Sequence, residues 1–173
     1  MRKKLKSTSG LTFVEMLCAT AILLLLVLMM STGMQMALAS YRTHTGDAET
    51  QLLLNSLTDA LADKLRYCVV TVDTGDTYKS CSVGKVDVNA AGHVTVGGKE
   101  LLSAGAYGEK GTDGSRRYQV EKLTPLKDAC HISKPTPVFK IELKVKDTQT
   151  GISKETTLTV RCLNPVKKEG TPP

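Results

Sequence analysis

The feature that most constrains this chain is an interval without a single formally charged side chain, running from Met16 to Tyr41. Its centre, Ala21-Ile-Leu-Leu-Leu-Leu-Val-Leu-Met-Met30, is wholly apolar. With its flanks the interval reaches the roughly 20 residues a helix needs to cross the hydrocarbon core of a bilayer. A backbone in hydrocarbon has to satisfy its own polar groups, so a single spanning segment of this kind is helical. The 173-residue chain therefore reads as one membrane-competent helix followed by enough residues for one modest domain.

Charge placement orients that helix. The formal net charge is +6, but Arg2, Lys3, Lys4 and Lys6 supply four of the 23 basic residues. Without them 19 basic face 17 acidic side chains, a net of +2 that gives little general attraction for phosphate. Nucleic acid is therefore not an expected partner, although the pair Arg116-Arg117 leaves a local basic patch open. Positive charge just before an apolar span holds the N-terminus in the cytoplasm and puts the C-terminal part outside.

The segment Ser9-Gly10-Leu11-Thr12-Phe13-Val14-Glu15-Met16-Leu17 sets one carboxylate at the start of the apolar run. A charge carried to the centre of a bilayer helix costs about 2.5–3.5 kcal/mol on insertion scales, less near an interface, so such residues are functional candidates. Thr12 and Glu15 have the spacing of a capping box, which accounts for the acid alone. A basic start, an apolar middle and Ala37-Leu38-Ala39 also fit a secretory signal that releases a soluble domain. The carboxylate ahead of the apolar centre and the length of the uncharged stretch argue against that reading. A lipid anchor at Cys18 fares worse, because its apolar run should precede the cysteine and here follows it.

Basic leader, Gly10, apolar Leu11 and Glu15 in the fifth position after Gly10 together resemble the class III signal of type IV prepilins. The resemblance covers residues 1–40. It implies that a prepilin peptidase cuts between Gly10 and Leu11 on the cytoplasmic side and that Leu11 is then N-methylated. Glycine suits such a site, since an absent side chain lets the peptide enter an active site extended. It further implies that Glu15 pairs with the N-terminal amine of a neighbouring pilin subunit as the helix leaves the membrane lipid. That pairing gives a buried charge an electrostatic reason to assemble. The implied partners are the peptidase, other pilin subunits through helix–helix packing, and an assembly platform with its ATPase machinery. Many major pilins carry proline near the twenty-second mature position, where this chain has Thr32 followed by Gly33. With the modest exterior domain, this points to a minor pilin or pseudopilin, of a motility pilus, a competence pilus or a type II secretion-like pseudopilus, and of the kind found beside major subunits in Gram-positive systems. A filament-mounted module for adhesion or DNA uptake is the alternative.

The fold expected is α+β and type IV pilin-like, a long N-terminal helix packed on a small antiparallel head. Its parts are a leader at 1–10, an apolar helix at 11–40, an amphipathic half at 41–67, a β-rich head at 68–163 and a loose tail at 164–173. Leu54, Leu57, Leu61 and Leu65 recur at helical spacing among charged residues, predicting an amphipathic continuation. A continuous helix from Leu11 to Tyr67 would hold roughly 57 residues and measure about 85 Å. Beyond Cys68 the pattern is short strands and turns. Val83–Val88 and His93–Val96 flank Asn89-Ala-Ala-Gly92, and Gly97-Gly98 opens Lys99-Glu-Leu-Leu102. The stretch Gly105–Ser115 lacks the Lys-Ser/Thr of a phosphate loop and is expected to be a mobile surface loop. Phe139–Lys146 alternates cleanly and Thr156–Cys162 answers it, predicting a hairpin with one wet face. Leu54, Leu57, Leu61, Ile141, Leu143 and Val160 should share the core.

Chemistry-bearing residues are few. His44, His93 and His131 are scattered and read as surface or turn residues, so no catalytic residue, cofactor or metal site is expected. Cys68, Cys81, Cys130 and Cys162 fall in the part expected outside, where disulfides persist, and no short CxxC pair suggests zinc. The pairing expected is Cys68 with Cys81 and Cys130 with Cys162, with crossed pairing and four reduced thiols left open.

Overall fold

The computed structural model describes residues 12–111, 114–132 and 136–168. Gly10 and Leu11, where cleavage is expected, lie outside the described residues, as does the end of the tail from residue 169. Phe13–Arg66 form one 54-residue helix, α1. Lys64 and Arg66 in its last turn complement the partial negative charge of the helix C-terminus. The chain divides after Arg42 into two compact units.

In the first unit every described residue is exposed. The second unit begins inside α1, and there burial switches on at Gly46, Thr50, Leu53, Leu54, Leu57, Leu61 and Leu65. Steps of three and four place these residues on one helix face, which is the amphipathic pattern read from the leucines.

Against that face lies a set of small sheets. β1 (Val70–Val72), β2 (Tyr78–Cys81) and, much later, β10 (Lys167–Lys168) form the first, in the order β10-β1-β2. β3 (Val86–Val88), β4 (Val94–Val96) and β5 (Lys99–Glu100) form an antiparallel meander, its turns at the Asn89–Gly92 and Gly97-Gly98 segments read in the sequence. The largest sheet is built on β8 (Val138–Asp147), which pairs antiparallel with β6 (Tyr118–Leu123) and β7 (Cys130–His131) along one side and β9 (Ser153–Arg161) along the other. A one-turn helix, α2 (Leu126–Ala129), links β6 to β7. The layout is α+β. All sheet pairs are antiparallel except β1 with β10.

Leu54, Leu57, Leu61, Ile141, Leu143 and Val160 are all buried in one cluster with Val70, Val72, Tyr107 and Phe139. The alternation of β8 explains why: Phe139, Ile141, Leu143 and Val145 point in while Lys140, Glu142 and Lys146 stay exposed.

Three expectations are corrected here. The tail is not loose in its described part. Leu163 N–H donates to Arg66 O at 2.8 Å, the Asn164 amide donates to Tyr67 O at 2.7 Å, and Lys167 and Lys168 pair with β1. The proline and lysine content suggested disorder, but backbone pairing decides. The glycine-rich stretch is not all surface loop either, because Ala104–Tyr107 make a 3₁₀ turn that drives the Tyr107 ring into the core. His93 is not a surface residue. Its ring is buried and stacked on Tyr107 with centroids 4.1 Å apart, and Nδ1 lies 2.8 Å from Glu100 Oε1.

Candidate functional site

The largest unpartnered feature among the described residues is the apolar surface of α1 in the first unit. Leu23, Leu24, Leu28 and Met30 are each more than half exposed, as are the other large side chains from Phe13 to Met36. α1 is long and apolar enough to cross a membrane. Two threonine hydroxyls within this surface are satisfied locally. Thr20 Oγ1 donates to Leu17 O at 2.9 Å, and Thr32 Oγ1 donates to Met29 O at 3.0 Å and Leu28 O at 3.2 Å. These two hydroxyls, turned back onto their own helix, present no unmet donor for hydrocarbon to penalise. The helix also runs unbroken through Thr32 and Gly33, where a proline would have freed a carbonyl.

Glu15 sits at the mouth of this surface and closes a capping box. Thr12 N–H donates to Glu15 Oε2 at 2.9 Å, Thr12 Oγ1 donates to the same oxygen at 3.0 Å, and Glu15 N–H donates back to Thr12 Oγ1 at 3.2 Å. Two orphan backbone donors at the helix start are thus met within one chain. The cap engages one carboxylate oxygen, so it is compatible with a further cationic partner at the other.

In the second unit the basic pair Arg116-Arg117 turns out to be spoken for. Arg117 Nη2 donates to Asp147 Oδ2 at 2.8 Å and Nε donates to Oδ1 at 3.2 Å, while the Glu49 carboxylate stands 3.5 Å from Nη1. The guanidinium carbon lies 5.0 Å from the centre of the Tyr118 ring, and the Tyr118 hydroxyl donates to Glu49. Arg116 Nη1 donates to Gly108 O at 3.1 Å. Burial pushes the Asp147 carboxyl up, but the Arg117 guanidinium, the Gln149 N–H and the Thr150 hydroxyl outweigh it and hold the group below its ordinary value. Asp147 closes the inward series of β8, and that register was a readable signal: an acid on the core face demands a cation.

The four cysteines of this unit gather in one region, and none is bridged. The expected pairs Cys68–Cys81 and Cys130–Cys162 are not formed. Cys68 Sγ instead lies 3.4 Å from Cys162 Sγ, and Cys68 is also hydrogen-bonded to Cys81. Its bond to Cys81, then burial, then its bond to Cys162 push the Cys68 thiol far up. Cys81 moves the other way, to about 7, because the Cys68 S–H donates to it and the Val83 N–H adds to this against burial. Burial raises Cys162, and it raises Cys130 to about 11. His44 and His131 are exposed, and among the described residues no group of three or more His, Cys, Asp or Glu is arranged to hold a metal ion. Comparison with protein-family models, curated proteins and solved structures gives no match to this chain.

Proposed function

We propose that this chain is a type IV pilin-like subunit, a minor pilin or pseudopilin held in the membrane by α1, trimmed between Gly10 and Leu11, and assembled into a surface filament or secretion pseudopilus. The observation that carries this reading is the acid at the head of a bare apolar helix, directly after a basic leader that ends in glycine. A soluble protein does not leave so long an apolar surface exposed unless lipid or another subunit covers it. Lipid covers it before assembly. Neighbouring helices replace lipid afterwards, and because lipid tails are as apolar as leucine, packing alone discriminates poorly between the two states.

Glu15 supplies the discrimination. Cleavage at Gly10 exposes the amine of Leu11, and the carboxylate of a neighbouring subunit pairs with it, relieving a charge that lipid disfavours. The β-rich head then lies outside and offers surface contacts. Neutralisation of Arg117 by Asp147 and Glu49 leaves little in that patch for a nucleic-acid backbone, which favours the structural role over DNA uptake.

Replacing Glu15 with Gln separates charge from cap. Glutamine still completes the capping box, but it offers no charge to an amine. In cells carrying the assembly machinery, Glu15→Gln should enter the membrane at the wild-type level and fall at least roughly tenfold in sheared filaments, as expected for loss of about 1.4 kcal/mol or more of pairing. Wild-type incorporation of this variant would reduce Glu15 to a helix cap.

A further inference from the structure

Cys68 and Cys162 are 94 residues apart in sequence, yet their sulfurs are 3.4 Å apart in the core of the head. Cys68 follows the end of α1 and is 1% exposed, and Cys162 follows β9 and is fully buried. The backbone around them is already seated. Cys162 N–H donates to Pro137 O at 3.0 Å, Leu163 N–H to Arg66 O at 2.8 Å, and the Cys162 thiol to Leu65 O at 3.2 Å. Hydrogen bonds thus hold the residues on both sides of the two thiols in register. A disulfide needs the sulfurs at about 2.0 Å, and forming it removes the S–H that Cys162 donates to Leu65 O but takes no atom from the backbone bonds to Pro137 O and Arg66 O.

We propose that Cys68 and Cys162 form a disulfide when the head meets a thiol–disulfide oxidant, and that this bond clasps the C-terminal strap, β10 included, to the end of α1. The clasp concerns the head alone and does not depend on the filament reading. Cys81 is the thiol that loads it. It lies on β2 opposite Val70, belongs to the least buried of the three contacting cysteines at 7% exposure, and has its thiol lowered to about 7 by the Cys68 S–H. Its thiolate attacks one sulfur of a disulfide R–S–S–R, forming a mixed disulfide and expelling RS⁻. Cys68, giving up its proton, attacks the Cys81 sulfur and expels the second RS⁻. Cys162, deprotonated in turn, attacks the Cys68 sulfur, and Cys81 leaves as thiolate. The two protons end on the two RS⁻. In sum Cys68 and Cys162 are oxidised by two electrons and R–S–S–R is reduced to two RSH. The final bond closes the far longer loop, which restricts the unfolded chain more than Cys68–Cys81 does.

The test uses the full-length chain in detergent micelles with Cys18→Ser, because Cys18 is exposed on the apolar helix and would cross-link copies. After incubation in oxidised and reduced glutathione, free thiols are alkylated and the digest is mapped without reduction. A Cys68–Cys162 peptide is expected, formed at least several-fold more slowly with Cys81→Ser. The oxidised protein should melt several degrees above the reduced one, and Cys162→Ser should abolish that difference. Cys68–Cys81 or Cys130–Cys162 as the end product, or four alkylatable thiols, overturns the clasp. An unchanged rate in Cys81→Ser overturns the loading role. The mapping itself needs no substitution in the cluster, so a folding defect in a variant cannot mask the result.

Discussion

Replacing Arg117 with alanine isolates Asp147, the one buried acid among the described residues. Asp147 has no exposed surface, whereas the Arg117 side chain keeps 18% of its own. The substitution removes three charge-assisted bonds and leaves the carboxylate with the Gln149 N–H at 2.9 Å and the Thr150 hydroxyl at 2.9 Å. Removing one partner of a buried pair costs roughly 3–5 kcal/mol, and the surviving bonds and the partial exposure of Arg117 place the loss near 3 kcal/mol. Urea unfolding of the full chain in detergent measures it. The chain has five tyrosines and no tryptophan, and Tyr107 and Tyr118 are buried, so tyrosine emission reports on the head. The loss should depend on pH. In the wild type the folded pKa of Asp147 is depressed below its ordinary 3.8, so its contribution is present above that value and fades as pH falls through the folded pKa. Without Arg117 burial is no longer outweighed and the carboxyl rises. The gap between wild type and variant should therefore close as pH falls toward about 4 and below, where both carboxyls take up protons. A loss under about 1 kcal/mol at neutral pH, or a gap that does not change with pH, would refute the argument and assign the effect to lost packing over Tyr118.

Two further substitutions test how closely the head is built around α1. Gly46→Ala would ordinarily favour a helix by about 1 kcal/mol, but a Cβ there would sit 2.7 Å from Asp147 Oδ2 and 3.0 Å from Arg117 Nη2. The sign should invert, with destabilisation of about 1–3 kcal/mol in the same urea assay. Tyr107→Phe deletes the hydroxyl that accepts the Val94 N–H at 2.9 Å while keeping the ring stacked on His93. An unmet buried N–H should cost about 1–3 kcal/mol, read as a lower urea midpoint with an unchanged slope.

What the sequence made legible is what local period encodes. The leucines from Leu54 to Leu65 gave the buried face of α1, and alternation along Phe139–Lys146 gave the largest sheet with its wet side. Chain contacts with no local signature escaped. Residues 163–168 read as tail because nothing nearby reveals that β1 offers them a free edge. Tyr107 read as loop because the glycines around it outweighed one aromatic in any local tally. The cysteines were expected to pair with their neighbours in sequence, whereas the return of β9 past the end of α1 brings Cys162 to Cys68. Asp147 lay between these cases. Its register was readable, but the cation facing it comes from β6's approach, 30 residues earlier in the chain. Of the proposed assembly site, the Thr12–Glu15 box was readable from spacing and is present as hydrogen bonds.

The central claim is that the chain is processed as a pilin-like precursor, and the mature N-terminus tests it most directly. Intact mass and N-terminal sequencing of the protein recovered from the membranes of its own cells are the measurements. The account predicts a chain beginning at Leu11, short by the ten residues through Gly10 and heavier by one methyl group. A chain that keeps its basic leader in cells with an active prepilin peptidase, or one that begins after Ala39, would contradict it.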